Sequence, residues 1–278
     1  MYHSIHDISP IKTMNFSIKT VASDYVKRRF PRASMGEKEK VVADWVNKLR
    51  DSEALVADFK KRIGNPKDKK IIDVGCGSGG VSIAFAKAGA LVSGIDIEKD
   101  LYEIAKAQAK SLDVPVDFFL YDGSKLPFSD SYFDYAVSVS VLEHTDNPVL
   151  YLEEIFRVLK PGGFLYLGFP NKLAFRETHT QLLFLTYLPA FLQSFYIRLF
   201  HRSPLIDNNL HFYGYFDLKK IITKVNKKTR DKYYCKLIEE RGTTKNLIKK
   251  LIKNLLKNLG ISYKVFLPHI LVVLKKSA

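Results

Sequence analysis

Apolar and polar positions change rhythm more than once along this chain. Residues 1–35 show little periodicity. Over 36–63, Trp45, Val46, Leu49, Leu55, Val56, Phe59 and Ile63 recur at helical spacing, and Gly64-Asn65-Pro66 closes the stretch. From Lys69, short apolar runs alternate with amphipathic stretches. The runs predict strands at 70–74, 91–95, 116–120, 134–139 and 164–169, with helices between them at 80–88, 99–111 and 148–159. Such alternation predicts an α/β fold, a mostly parallel sheet with helices on both faces. Residues 181–200, QLLFLTYLPAFLQSFYIRLF, interrupt it, apolar almost all round and broken by Pro189 and Arg198. A helix of that kind must be buried or touch lipid. From 212 the rhythm returns, with a helix at 216–227, a strand near 232–238, a helix at 244–259 and a last strand at 269–274. No internal repeat is visible. The pattern divides the chain into an N-terminal helical extension, 1–68, and an α/β domain, 69–278, interrupted by an insertion at 172–215 and ending in a basic segment, 219–278.

Composition narrows the class. With 46% apolar and 26% charged residues over 278 positions, the chain can bury a sizeable core and is not of the disordered type. Cys76 and Cys235 are far apart and form neither a disulfide framework nor a zinc site. A reducing cytoplasm is the expected compartment. The start, MYHSIHDISPIK, does not read as a signal peptide, and no run of about 20 apolar residues predicts a membrane span. The net charge is +15, and it is localised: Lys219 to Ala278 holds 17 Lys and Arg against three acids, a surplus of +14. A basic face of that kind suits an anionic partner, membrane surface or nucleic acid.

The strongest chemical signal is Asp73-Val74-Gly75-Cys76-Gly77-Ser78-Gly79-Gly80, where a predicted strand runs into glycines and then a helix. Glycines permit the tight turn and the close approach of backbone to a ligand. Nucleotide-binding dehydrogenases share that logic, so the glycine run alone is weak evidence. Asp73, at the strand end, would repel a pyrophosphate and suits a ligand carrying ammonium and sulfonium groups. Asp96 ends the second strand about 20 residues on, where a carboxylate can take both ribose hydroxyls. Asp122 ends the third, where it can accept an exocyclic amine.

These motifs resemble the class I S-adenosylmethionine-dependent methyltransferases, most of all the branch that includes the quinone-biosynthesis enzymes. DVGCGSGG (73–80), GIDI (94–97), YDGSKLPFSDSYFDYAVSVSVLEH (121–144) and VLKPGGFLYLGFPN (158–171) carry the likeness, over roughly 69–171. The resemblance implies a doubly wound, seven-stranded, mostly parallel Rossmann-like sheet whose last strand, 269–274, is antiparallel. It implies S-adenosylmethionine as cofactor. Gly75, Gly77 and Gly79, with Asp73, would pass its methionine part; Asp96 and Ile97 would hold the ribose side. Asp122 and Gly123 would frame the adenine, and Val139 would meet the methionine end by its backbone.

Departures from related patterns narrow the chemistry. After the fourth strand the chain has Ser138-Val139-Ser140-Val141, not the N/D-P-P-aromatic motif of nucleic-acid amino methyltransferases. The Pro-Cys pair of cytosine C5 enzymes is absent. Some quinone O-methyltransferases hold a divalent metal through Glu-x-x-Glu-His; here Ser140 replaces the first carboxylate, ahead of Glu143-His144, so no required metal is expected. Pro170-Asn171, Glu177-Thr178-His179 and LLFLTYLP resemble methyltransferases found with polysaccharide and glycolipid biosynthesis, which implies a sugar or lipid-linked hydroxyl as acceptor. A weak hydroxyl nucleophile gains from a general base, and histidine is the usual type. His179 is the first candidate and His211 the second, with His144 in support.

In 244–259, Leu247, Ile248, Leu251, Ile252, Leu255, Leu256 and Leu259 share one side at helical spacing, with Lys249, Lys250, Lys253 and Lys257 opposite. This predicts an amphipathic helix, either packed on the core with a solvated basic face or lying on an anionic membrane. The expected activity is methyl transfer to a small-molecule, sugar or lipid-linked hydroxyl. The alternatives are an RNA methyltransferase, disfavoured by the missing motif and the lack of an RNA-binding module, and a non-catalytic cofactor-binding partner.

Overall fold

Ile71, Ile72, Val74 and Ile95 are fully buried, as strands covered by helices on both faces require. The computed structural model describes residues 16–29, 31, 34–177, 182–200, 211–229, 233–238 and 268–277. In chain order the elements are α1 (Phe16–Arg29), α2 (Met35–Arg62), β1 (Lys70–Val74), α3 (Gly80–Lys87), β2 (Leu91–Asp96), α4 (Lys99–Ser111), β3 (Asp117–Leu120), β4 (Phe133–Val139), α5 (Pro148–Val158), β5 (Leu159–Pro170), α6 (Ala190–Leu199), α7 (Tyr215–Thr229), β6 (Tyr233–Ile238) and β7 (His269–Lys276). Short 3₁₀ turns stand at Leu142–His144 and Leu185–Tyr187. The strands form one seven-stranded sheet of order β3-β2-β1-β4-β5-β7-β6. β7 is antiparallel to both β5 and β6, and the remaining pairings are parallel. Strand order reverses between β1 and β4, which opens a crevice at the carboxyl ends of those two strands.

Successive residues of β1 and of β5 feed opposite faces of the sheet. Ile72, Leu165 and Leu167 meet Leu152, Ile155 and Phe156 of α5 and Leu218 and Val225 of α7. Ile71 and Tyr166 meet Phe59 of α2 and Phe85 of α3 on the other face. The end of α2 is therefore core. Phe59 is fully buried with its ring centroid 4.9 Å from that of Phe85, edge to face, and Tyr166 donates from its hydroxyl to Asp58 at 3.0 Å. Truncating such a residue to alanine costs about 3–5 kcal/mol. α1, in a stretch without clear periodicity, rests on α4 through Val26, Tyr25 and Ile104. α5 starts where the sequence directs it: Asn147 Oδ1 accepts from the Leu150 N–H at 3.1 Å, and Pro148 occupies the first turn.

The insertion's described ends meet at the tip of β5. Asn171 forms a parallel bridge with Tyr213, and the Lys172 N–H donates to the Tyr213 carbonyl at 2.8 Å. Of the two alternatives expected for the apolar stretch 181–200, burial or contact with lipid, burial does not hold for α6. Pro189 starts a ten-residue helix, α6, whose Phe191, Phe195 and Leu199 face solvent. No described helix is long and apolar enough to cross a membrane. The 244–259 segment and His179 lie outside the described residues.

Candidate functional site

β1 ends at Val74 and the chain turns through Gly75, Gly77 and Gly79, with φ of 75°, 53° and 83°. All three are left-handed, a conformation that side-chain-bearing residues adopt at a cost. Their surroundings differ. A Cβ on Gly75 would stand 2.3 Å from Cγ2 of Val141, in the loop after β4. A Cβ on Gly77 would meet nothing within 4 Å. Gly75 is thus where the loops after β1 and β4 close on each other, while Gly77 faces open space.

Carboxylates surround this loop. Asp96, the last residue of β2, is buried; its Oδ2 accepts from the Gly77 N–H at 2.7 Å and its Oδ1 from the Glu98 N–H at 3.0 Å. Asp73 is buried in β1 and accepts from the Ser82 hydroxyl at 2.6 Å. Burial raises its pKa to about 7, with the Asp96 charge adding to the rise and the Ser82 bond opposing it. Cys76 is buried, and desolvation followed by the charges of Asp73 and Asp96 pushes its thiol well above the ordinary range, so it is a poor nucleophile.

Ile97 and Gly123 lie side by side: Ile97 is an exposed aliphatic residue, and a Cβ on Gly123 would be 3.4 Å from its Cγ2. Asp122 is exposed; its Oδ1 accepts from the Ser124 N–H at 2.9 Å and the Ser124 hydroxyl at 2.6 Å, and these bonds hold its carboxyl below the usual range. Asp122 therefore also shapes the turn that presents Gly123. Beside it, Val74, Tyr121, Gly123, Leu126, Tyr151 and Glu154 line a shallow surface depression. Burial, then the charges of Asp96 and Asp122, lift Tyr121 to about 12, so it stays a neutral hydroxyl.

Two contributors escaped the motif reading. Ser138 of β4 shares a 2.7 Å hydroxyl pair with Tyr151 of α5, which lines this depression. Arg157 braces the 126–130 part of the loop from α5: its guanidinium donates to the carbonyls of Leu126 and Phe128 and to Asp130, and it is clamped by both oxygens of Glu154. Glu154 in turn accepts from the Leu126 N–H at 3.0 Å. The available signal was Glu154 and Arg157 three apart on one helix face, a spacing that usually means only a surface pair.

On the far side of the crevice, Val139 ends β4 opposite Gly168, and Ser140 turns away with φ 59°. The 3₁₀ turn that follows buries Glu143 and exposes His144. His211, at the second end of the insertion, donates its backbone N–H to the Glu143 carbonyl at 2.7 Å; its Nε2 is 3.6 Å from Asp146. His211 and His144 thus belong to neighbouring turns at the carboxyl edge of the sheet. Among the described residues no group of three or more His, Cys, Asp or Glu side chains could hold a metal ion.

Comparison with known proteins agrees with this geometry. Residues 72–167 match the family model described as a methyltransferase domain. A ubiquinone biosynthesis O-methyltransferase of Coxiella burnetii is 33% identical over 106 residues, covering 38% of this chain and 45% of that protein. O-methyltransferase rstn1 of Aspergillus nomiae is 31% identical over 138 residues, covering 46% and 61%. The chain thus spans about half the length of the curated relatives it matches. Among solved structures, magnesium protoporphyrin IX methyltransferase of Synechocystis PCC 6803 shares the fold with a TM-score of 0.53 at 18% identity, over 93% of this chain and all of that one. The YcgJ protein of Bacillus subtilis does so with 0.53 at 18% identity, over 82% and 99%. Over residues 72–167 the chain is thus similar to proteins that carry a methyltransferase domain.

Proposed function

We propose that this chain moves the methyl group of S-adenosylmethionine to a hydroxyl of a small-molecule, sugar or lipid-linked acceptor. The observation that carries the reading is the glycine loop pinned by Asp96, with Asp73 and Asp122 at the ends of the flanking strands. The residues present fit the cofactor. Gly77 leaves open space where a side chain would otherwise project, and the donor set is anionic, as a cationic ligand needs. The relatives named as O-methyltransferases support oxygen as the acceptor atom.

When bound, the cofactor supplies an electrophilic methyl on a sulfonium, and the hard chemistry is its own. The protein's part is placement and charge. Asp73 complements the positive charge from beneath the loop, and a cation nearby draws its carboxyl toward the ionised form. Asp96 uses one lone pair per oxygen on backbone N–H groups and keeps others for ribose hydroxyls. Ile97 and Gly123 offer apolar surface to a base. The acceptor enters from the β4 side, near the place where the described ends of the insertion meet at Asn171 and Tyr213.

The general base is drawn from His179, His211 and His144. His211 is supported by its hydrogen bond over the turn after β4 and by Asp146 near its ring, a partner for the imidazolium formed when the hydroxyl proton is taken. His179 keeps its claim from sequence alone. The basic helix expected at 244–259 would hold the chain against anionic membrane, where lipid-linked acceptors reside. Incubation with labelled S-adenosylmethionine and, separately, lipid extract, polysaccharide precursors and total RNA tests the reading. Label is expected in the lipid or saccharide fraction; label in RNA alone would overturn it.

A further inference from the structure

We infer that the outward face of α6 inserts into the surface of an anionic bilayer, seating the crevice at the membrane. The inference deepens the membrane contact proposed above but rests on a different surface. α6 is inverted relative to an ordinary surface helix. Phe191, Phe195 and Leu199, four residues apart on one stripe, are 77%, 64% and 58% exposed. The polar contacts point the other way: Gln193 donates its side-chain amide to the Leu188 carbonyl at 2.9 Å, and Tyr196 its hydroxyl to the Leu183 carbonyl at 3.2 Å. So the side that would normally meet water is aromatic, and the side facing the protein carries the hydrogen bonds. A helix with such a stripe needs an apolar medium or partner.

The patch continues beyond the helix. Phe184 is exposed, holds a left-handed backbone (φ 56°, ψ 14°) and stacks edge-on against Tyr187 at 6.0 Å. Tyr187 is fastened beneath by its hydroxyl to the Leu173 carbonyl at 2.7 Å. A non-glycine residue adopts that backbone only at a cost. The turn thus sets an aromatic ring outward at some expense to the fold.

Charge decides which occupant suits this face. Lys172, Arg176 and Arg198 are exposed around it, and Glu177, the segment's single acid between 171 and 200, is buried. Apolar rings rimmed by cations match anionic headgroups above acyl chains. The chain's own 244–259 segment is lysine-rich, and a second copy would bring the same cations; both would meet like charge. The insertion joins the sheet at Asn171 and Tyr213, at the carboxyl tip of β5, so a bilayer seated on α6 lies on the crevice side of the sheet.

The test uses the full chain without cofactor or acceptor, so its failure leaves the methyl-transfer reading standing. Flotation with phosphatidylcholine vesicles containing phosphatidylglycerol is compared for the wild type and the Phe191→Ser/Phe195→Ser pair. Both positions are exposed, so the pair should fold, which circular dichroism checks. The expected result is binding by the wild type and a loss of about tenfold or more in the pair, from two rings no longer buried in lipid. In parallel, Phe191→Trp in a Trp45→Phe background should shift its emission to the blue on vesicles and be quenched by brominated acyl chains. Equal flotation of wild type and pair, or no flotation of either, overturns the inference. So does a tryptophan already shielded without vesicles, or a dimer that the paired substitution abolishes.

Discussion

The backbone N–H of Gly77 donates to Oδ2 of Asp96 at 2.7 Å, so the glycine loop after β1 is held by the last residue of β2. The residue expected to grip the ribose therefore also sets the shape of the loop proposed to pass the methionine. Loss of Asp96 affects both together, and cofactor affinity reports their joint effect.

The glycines of this loop should respond differently to one added methyl group. Gly75→Ala drives a Cβ to 2.3 Å from Val141, so it should lower stability by about 2 kcal/mol or more, from left-handed strain plus overpacking. Gly77→Ala meets no atom and should cost only about 1 kcal/mol of stability. Its methyl group would stand where the cofactor is proposed to pass, so affinity should fall out of proportion. Thermal melting with binding calorimetry on both variants checks this; equal stability losses would contradict it.

Arg157→Ala should loosen the 126–130 part of the loop, because the guanidinium holds two carbonyls and Asp130 at once. Hydrogen bonds to a charged group are worth about 1.5–3 kcal/mol, and Glu154 would be left partly unpaired. Faster amide exchange across 126–130, with weaker binding of the adenine end, is the expected outcome. Unchanged exchange there would show that the loop holds itself.

The Asp73 carboxyl gives a pH signature. Its pKa is about 7 in the folded chain against 3.8 for the ordinary side chain. Between those values the folded state binds a proton that the unfolded state lacks, so this group's contribution to stability falls as pH rises from about 4 to 7. Asp73→Asn keeps an acceptor for Ser82 and removes the ionisation. Its melting temperature relative to wild type should climb across that window; a constant difference would contradict the assignment. Cofactor affinity of the wild type should rise with pH through 7, since a cation favours the ionised form.

Much of this was legible in sequence because it follows local rules. The runs at 70–74 and 99–111 fold over those same residues, since each has one period and a clear stop. β5 extends back to Leu159, ahead of the expected start at 164: Leu159 pairs with Phe133 and Phe164 with Tyr135, and Pro161-Gly162-Gly163, which reads as a turn, falls in the register shift between them. α1 was missed because its contacts are few: Val26 and Tyr25 meet Ile104, and little else in its pattern repeats. The outward turn of Phe191 and Phe195 was invisible, because an all-apolar stretch gives no moment from which to assign a buried side. Of the site, the glycines and acids announced themselves by type and spacing. Arg157 and the Ser138–Tyr151 pair did not, since their role exists only once α5 lies on β4.

The histidines are ranked by turnover. General-base catalysis is typically worth about 10² to 10⁴ in rate. Alanine at the true base among His179, His211 and His144 should lower kcat by at least about 10²-fold with cofactor affinity nearly unchanged. Near-normal turnover in all three alanine variants would mean that the acceptor ionises unaided.

The most direct measurement is titration calorimetry of S-adenosylmethionine into the wild-type chain and into Asp96→Ala, with folding of each checked by circular dichroism. The wild type is expected to bind, and the variant, folded, to bind at least about tenfold more weakly, from the loss of a charge-assisted hydrogen-bond acceptor at the loop and ribose. No binding by the wild type, or equal affinity in a folded Asp96→Ala chain, would contradict the reading of this crevice as the cofactor site.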